Sequence, residues 1–253
     1  MSNWGRFLLD ILSNWGHIYL KGRKMEFIII AMISIICILV LGYIFDYNKK
    51  KIKHIAEDKE LDEVAKKYPN NIEMCKYYLK KLNNEKVKIE ENTDSEASLY
   101  IAITDKISIA NISNTYTRIQ TIAHECLHSI QDRKILMFNF AFSNIYLLYF
   151  LIICILSVFK LLPYKMMFLS IFLILSLIYY VVRIYLENDA MIKARYLAKD
   201  YMEEAKISDE GEIERLVNGF DKINNVGIKC VNYSFFLNIM VKVLVFSLIC
   251  IIR

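Results

Sequence analysis

Residues 121–132 read "TIAHECLHSIQD" and hold two of the chain's four histidines, His124 and His128, with Glu125 directly after the first. On a helix, positions i and i+4 share a face, so both imidazoles can reach one metal ion. Glu125 falls about 100° round the helix from His124, where it meets a metal-activated water rather than the metal. Zinc brings the pKa of such a water toward about 7, and a carboxylate beside it can take the proton as general base. Cys126 lies inside the motif but off the ligand face, which assigns it to packing. The bland alternative is a solvated helical face whose histidines merely follow composition.

Catalytic zinc takes three protein ligands and keeps one position open. The third donor is sought in "YLENDAMIKARYLAKD", residues 185–200, which offers Glu187 and Asp189. Glu187 stands at the end of one apolar run, and His128 shortly precedes another. A hairpin of those two runs across a membrane returns both residues to the same side. Ala190, one helical turn beyond Glu187, allows close packing against the motif helix. Asp189 points to the opposite side of a helix from Glu187, and a capping or supporting role suits it better.

The elements that must position these residues follow from hydropathy. Apolar runs occupy residues 27–45, 135–159, 166–186 and 235–252, each near the 17–25 residues that cross a bilayer. The last carries Lys242. With 56% hydrophobic residues and only 7 Gly and 2 Pro, a water-soluble domain lacks the polar chain to surround four such runs. The first run lacks the small-residue cleavage site of a signal peptide. Ahead of it, Trp4, Phe7, Leu8, Ile11, Trp15 and Ile18 recur at helical spacing. They describe an amphipathic segment, residues 1–26, fit for the headgroup layer or for packing on the protein itself.

Residues 46–134 are polar enough for a head. "DYNKKKIKHIAEDKELDEVAKKY" has helical spacing, and "IEMCKYYLKKLNNE" is a second helix after the break at "PNN". Alternation in "KVKIEE" and on both sides of Asp105-Lys106 predicts three short strands, the last two a hairpin with a two-residue turn. That hairpin's second strand, residues 107–112, leads into the motif helix and offers an edge for an extended peptide. Asn114 or Thr115 can cap the motif helix. Residues 187–234 form a second polar segment, helical with a break near "KISDEGE".

The six cysteines form no CxxC pair and no disulfide framework. A formal charge of +5 gathers beside the apolar runs, which suits anionic lipid and not nucleic acid. Near the spans, Lys and Arg are more numerous on the head's side, Lys49, Lys50, Lys51 and Lys53 among them. That asymmetry places the head in the cytoplasm.

The motif, the hydrophobic stretch after it and the later "LENDAMIKA" resemble the YugP-like bacterial membrane family of neutral zinc metallopeptidases. The family pattern is AHExxHxxQ with a later E-x-[ND]-A-x-x-x-A, and the likeness covers about residues 70–245. It implies zinc held by His124, His128 and Glu187, with Glu125 as the base. Cys126-Leu127 stand where the family usually has Val-Gly, and the amphipathic N-terminal extension is a further departure. Site-2-type intramembrane proteases also use HExxH, but within a span and with a later Asp-Gly. Here "NTYTRIQT" is too polar for that depth, and the chain has no Asp-Gly pair.

The sequence therefore predicts an α-rich integral membrane protein, multi-pass in the cell membrane, with four transmembrane helices and a small α+β zincin-like catalytic head. The expected function is a zinc-dependent endopeptidase acting on peptide or membrane-protein substrates at the lipid bilayer. Competing readings are a membrane scaffold with a structural or vacant metal site, and the site-2-type protease. The sequence does not specify an oligomeric state.

Overall fold

The computed structural model describes residues 3–92, 94–95, 97–112 and 115–253, with side chains described from residue 24 onward except that of Lys49. The chain is mostly helical, with one three-stranded sheet. Helix α1 spans Asn3–Ile44, and α2 (Lys49–Ala56), α3 (Lys59–Lys66) and α4 (Asn71–Lys81) follow. Strands β1 (Lys88–Asn92), β2 (Leu99–Ile101) and β3 (Lys106–Ala110) precede α5 (Arg118–His128). Three long helices complete the chain: α6 (Arg133–Val158), α7 (Lys165–Ala205) and α8 (Glu210–Ile252).

Two compact units divide these elements. The first comprises residues 1–44, 144–177 and 236–253. It contains most of the apolar length of four helices long and apolar enough to cross a membrane. The protein buries no more than 28% of the apolar stretch of any of them. Ile33, Ile36, Leu39, Leu148 and Leu151 are exposed, as apolar side chains are when lipid rather than water surrounds them. Contacts inside the unit are aromatic: Phe27 meets Phe246 edge to face, and Tyr146 stacks on Phe172. The Lys242 amine lies over the Tyr146 ring at 4.5 Å, which moderates the cost of a charge at that depth.

The second unit, residues 45–143 and 178–235, is the head. Its core gathers Leu61 and Val64 of α3, Met74 and Tyr78 of α4, Ile107 and Ile109 of β3, and Ile119 and Ile122 of α5. Ala190, Ala194 and Ala198 of α7 and Phe220 of α8 close it. The three alanines recur at i, i+4, i+8 and are fully buried, so α7 offers the core a flat face.

Several expectations change. The first polar stretch holds two helices, because the Asp58 side chain accepts from the Glu60 and Leu61 N–H groups and starts α3 afresh. The β2–β3 turn has four residues, 102–105, with Asp105 left-handed at φ 49°. Its carboxylate accepts from the Tyr100 hydroxyl, which holds that conformation. β3 is no edge: it pairs parallel with β1 and antiparallel with β2, giving the order β1-β3-β2. Thr115 does not cap α5, which starts at Arg118 with Thr117 as the flanking residue. Thr115 instead donates to the Ile112 carbonyl, and Asn114 lies outside the described residues. No helix boundary falls at residue 187, since the third apolar run and the segment bearing Glu187 are one helix, α7. Residues 3–26 are helical and continuous with the first span, while the amphipathic face drawn from Trp4 to Ile18 rests on side chains outside those described.

Candidate metal centre

Helix α5 is anchored from within the head. Arg118 is buried and donates to the carbonyls of Ala65, Tyr68 and Pro69 and to Asn71 Oδ1. Those carbonyls end α3 and form the turn into α4, so one guanidinium satisfies main-chain acceptors at the end of α3 and in that turn. Ile119, Ile122, Ala123 and Cys126 face the core and are fully buried. Cys126 Sγ lies 3.5 Å from Cys75 Sγ of α4, and both are free thiols.

His124 and His128 project from the other side. Their Nε2 atoms are 3.0 Å apart, and each lies 3.6 Å from Glu187 Oε2. Donor atoms about 2.0–2.1 Å from a tetrahedral zinc ion stand about 3.3–3.4 Å from one another. The three edges straddle that value. Two imidazoles and one carboxylate are also the donor chemistry of zinc rather than of magnesium or calcium. The group meets the geometric requirement for holding a metal ion, and its side chains are 12–21% exposed. That leaves the inward donors sheltered while one side stays open.

The partners of these residues fix their orientation. Gln131 Oε1 lies 2.8 Å from His128 Nδ1, and Gln131 Nε2 donates to the Leu186 carbonyl and to Asp189 Oδ2. Two acceptors around Nε2 decide which way the amide points, so Oε1 must accept from Nδ1–H. The neutral His128 ring then keeps its Nε2 lone pair for the centre. Glu187 divides its oxygens: Oε2 faces the imidazoles, and Oε1 is 3.6 Å from Arg183 one turn earlier. Arg183 itself stacks over the Phe235 ring at 4.9 Å.

Burial pushes the Glu187 carboxyl up, but hydrogen bonds to His124 and His128 outweigh it and hold the group well below the usual carboxylate range. His128 shows the complementary effect. Burial lowers it, yet the Glu187 carboxylate carries its net shift upward.

Glu125 is 6% exposed, and Oε1 is 4.0 Å from His124 Nε2. The backbone amide of Tyr100 on β2 stands near enough to favour its charged form. Burial raises its pKa despite the two imidazoles nearby, as suits a carboxylate that must hold a proton for part of a reaction. Asp189 stands apart from the donor group, bonded to Lys193 at 2.6 Å and to Gln131.

All four residues singled out for metal chemistry, His124, Glu125, His128 and Glu187, thus meet in one place. Sequence reasoning gave no role to Gln131, Arg183 or the Tyr100 amide. Gln131 was within reach, three residues after His128 and so on its side of the chain. Arg183 is one turn before Glu187. A backbone amide leaves no trace in a sequence. Compared with family models, with curated proteins and with solved structures, the chain finds no match.

Proposed function

We propose that the chain is a membrane-bound, zinc-dependent endopeptidase whose head is zincin-like and related to the YugP-like neutral metallopeptidases. The observation that carries this reading is the triangle of His124, His128 and Glu187 donor atoms with the Glu125 carboxylate beside it. Zinc held there acts as a Lewis acid and brings the pKa of a water toward about 7. Glu125 accepts a proton from the attacking water and returns it to the leaving amine. Gln131 holds His128 in the tautomer that leaves Nε2 unprotonated. Strand β2 pairs on one side only, so an extended substrate backbone runs along Leu99–Ile101 rather than along β3. The excess of lysine and arginine near the spans on the head's side favours a cytoplasmic head, though the basic group before the first span pulls the other way.

Metal analysis of the purified full chain beside His124→Ala, with cleavage of an unfolded fluorescent protein in parallel, tests the proposal. Stoichiometric zinc and cleavage in the wild type, both lost in the variant, are expected. Zinc without cleavage would identify a structural site in a membrane scaffold. Labelling of Ser95→Cys by an impermeant thiol reagent in intact cells would overturn the orientation.

A further inference from the structure

Three observations within the head unit concern where its site lies along the membrane normal. The apolar run of α7 reaches Val182 without a charge, Arg183 follows, and Glu187 comes directly after Leu186. At 1.5 Å per residue, Glu187 lies about 6 Å beyond Arg183 on the helix. Polar headgroups occupy about 5–7 Å on each side of a bilayer's hydrocarbon core. The other ligand helix is held in register with this one. Gln131 Nε2 bonds the Leu186 carbonyl, and the chain turns apolar at Ile135, just past Asp132, Arg133 and Lys134. Aromatic rings mark the same level: Tyr47 of the α1–α2 linker packs on Tyr233 of α8 at 4.7 Å, and Arg183 stacks on Phe235.

The third observation is the surface beside the site. On the flank that Gln131 and Asp189 occupy, Ile130, Tyr185 and Lys193 line one pocket. Leu99, beside Tyr100, is 43% exposed, and Ile130, two residues past His128, is 46% exposed. Tyr185, two residues before Glu187, is 59% exposed. Flanked by Arg133, Lys134 and Lys193, this rim suits the boundary between acyl chains and anionic headgroups better than bulk water.

We infer that the substrates are membrane-anchored chains cut within the headgroup layer, immediately next to an apolar segment that stays in the bilayer. The inference rests on the endopeptidase reading and adds its substrate class. The substrate's membrane span supplies proximity, and the distance from the hydrocarbon edge to the site selects the bond. An extended chain advances about 3.3 Å per residue, so the layer admits cuts within about two residues of the apolar segment.

The test uses the full chain reconstituted in phosphatidylcholine–phosphatidylglycerol vesicles, beside Glu125→Gln. The probe is a peptide pool with a randomised polar stretch joined to an apolar anchor of about 20 residues, compared with the same pool lacking the anchor. Mass spectrometry of the products should place Glu125-dependent cuts next to the anchor. The unanchored pool should be cut at least about tenfold more slowly, a modest part of the effective concentration that tethering supplies. A Gly-Ser spacer between anchor and stretch should leave the cut near the anchor, shifting it onto the spacer. Glu125-dependent cuts spread along the stretch, or equal cleavage of the unanchored pool, would overturn this inference and leave the endopeptidase reading intact. No Glu125-dependent cleavage of either pool would remove both.

Discussion

Helix α5 keeps all eleven of its residues inside the head, whereas α7 runs for forty-one residues and belongs to both compact units. Both supply ligand atoms to the candidate metal centre. On α5 the supply is local: two histidines one turn apart, with the carboxylate between them, arrive together once the helix forms. On α7 it depends on where the helix changes its surroundings. Before Arg183 many of its large apolar side chains are exposed, Ile174, Leu177 and Val181 among them, and beyond Glu187 it presents Ala190, Ala194 and Ala198 to a core. Glu187 stands at that change. The first kind of ligand is defined by spacing, and the second by the position of a boundary.

The comparison breaks most sharply at Glu125, which belongs to α5 by position but to no ligand set. Glu125→Gln should lower cleavage by about 10²–10⁴-fold, the range of a general acid–base group. Zinc content should hold, because His124, His128 and Glu187 are intact. Cleavage close to the wild-type rate would remove Glu125 as the base. Next in size is the choice between the two carboxylates of α7. Glu187→Gln replaces an anionic donor with a neutral amide, and zinc affinity should fall by more than the roughly 10–100-fold that outer partners cost. Asp189→Asn should keep most of the metal, since Asp189 bonds Lys193 and Gln131 instead. The reverse ranking in metal analysis would move the third ligand to Asp189.

What could be read in advance follows the same division. The spacing of His124 and His128 is a property of any helix, so the motif was legible without a fold. Glu187 was legible because two apolar runs must return to one side of a membrane, and because it falls on the glutamate of the pattern the chain resembles. The sheet was partly legible. Alternation marks three strands, but nothing in "KVKIEE" says that β1 lies parallel against β3 and makes it the central strand. That pairing is set by the shared core of α4, α5 and β3. The α5 start was misread because Thr115 opens a turn, closed by the Arg118 N–H on its carbonyl, and the helix begins only after it. The role of Gln131 stayed hidden because two of its three partners come from α7, about fifty-five residues later.

Two further substitutions separate anchoring from ligation. Arg118→Met removes the guanidinium donor from the Tyr68 and Pro69 carbonyls and Asn71 Oδ1, while the Ala65 carbonyl keeps the Tyr68 N–H. Thermal unfolding in detergent should show a loss of about 2–4 kcal/mol, while the folded fraction still binds zinc. An unchanged melting temperature would mean that water replaces the guanidinium freely. Gln131→Leu, which links the helices without touching the donor triangle, should cost about 10–100-fold in zinc affinity. Competition with a chelator measures it. An affinity equal to wild type would show that the His128 tautomer needs no support from α7.

The smallest effect is expected from the one residue of the motif that the chemistry does not use. Cys126 sits between Glu125 and His128, and a thiolate there would be a strong zinc ligand. Helical geometry turns it inward instead, into full burial against Cys75. Burial raises its thiol well above the ordinary range, so the sulfur keeps its proton at neutral pH and offers no anionic donor. Cys126→Ala therefore removes only a buried sulfur's contacts. A stability loss of about 1 kcal/mol is expected, with zinc content and cleavage unchanged. If zinc left with the sulfur, the centre would contain a thiolate, and the donor set would no longer divide as two residues from α5 and one from α7. A loss of cleavage with zinc retained would be milder. It would show that packing between α4 and α5 sets the reach of Glu125, because Cys126 follows it directly and is the side chain that meets Cys75 of α4.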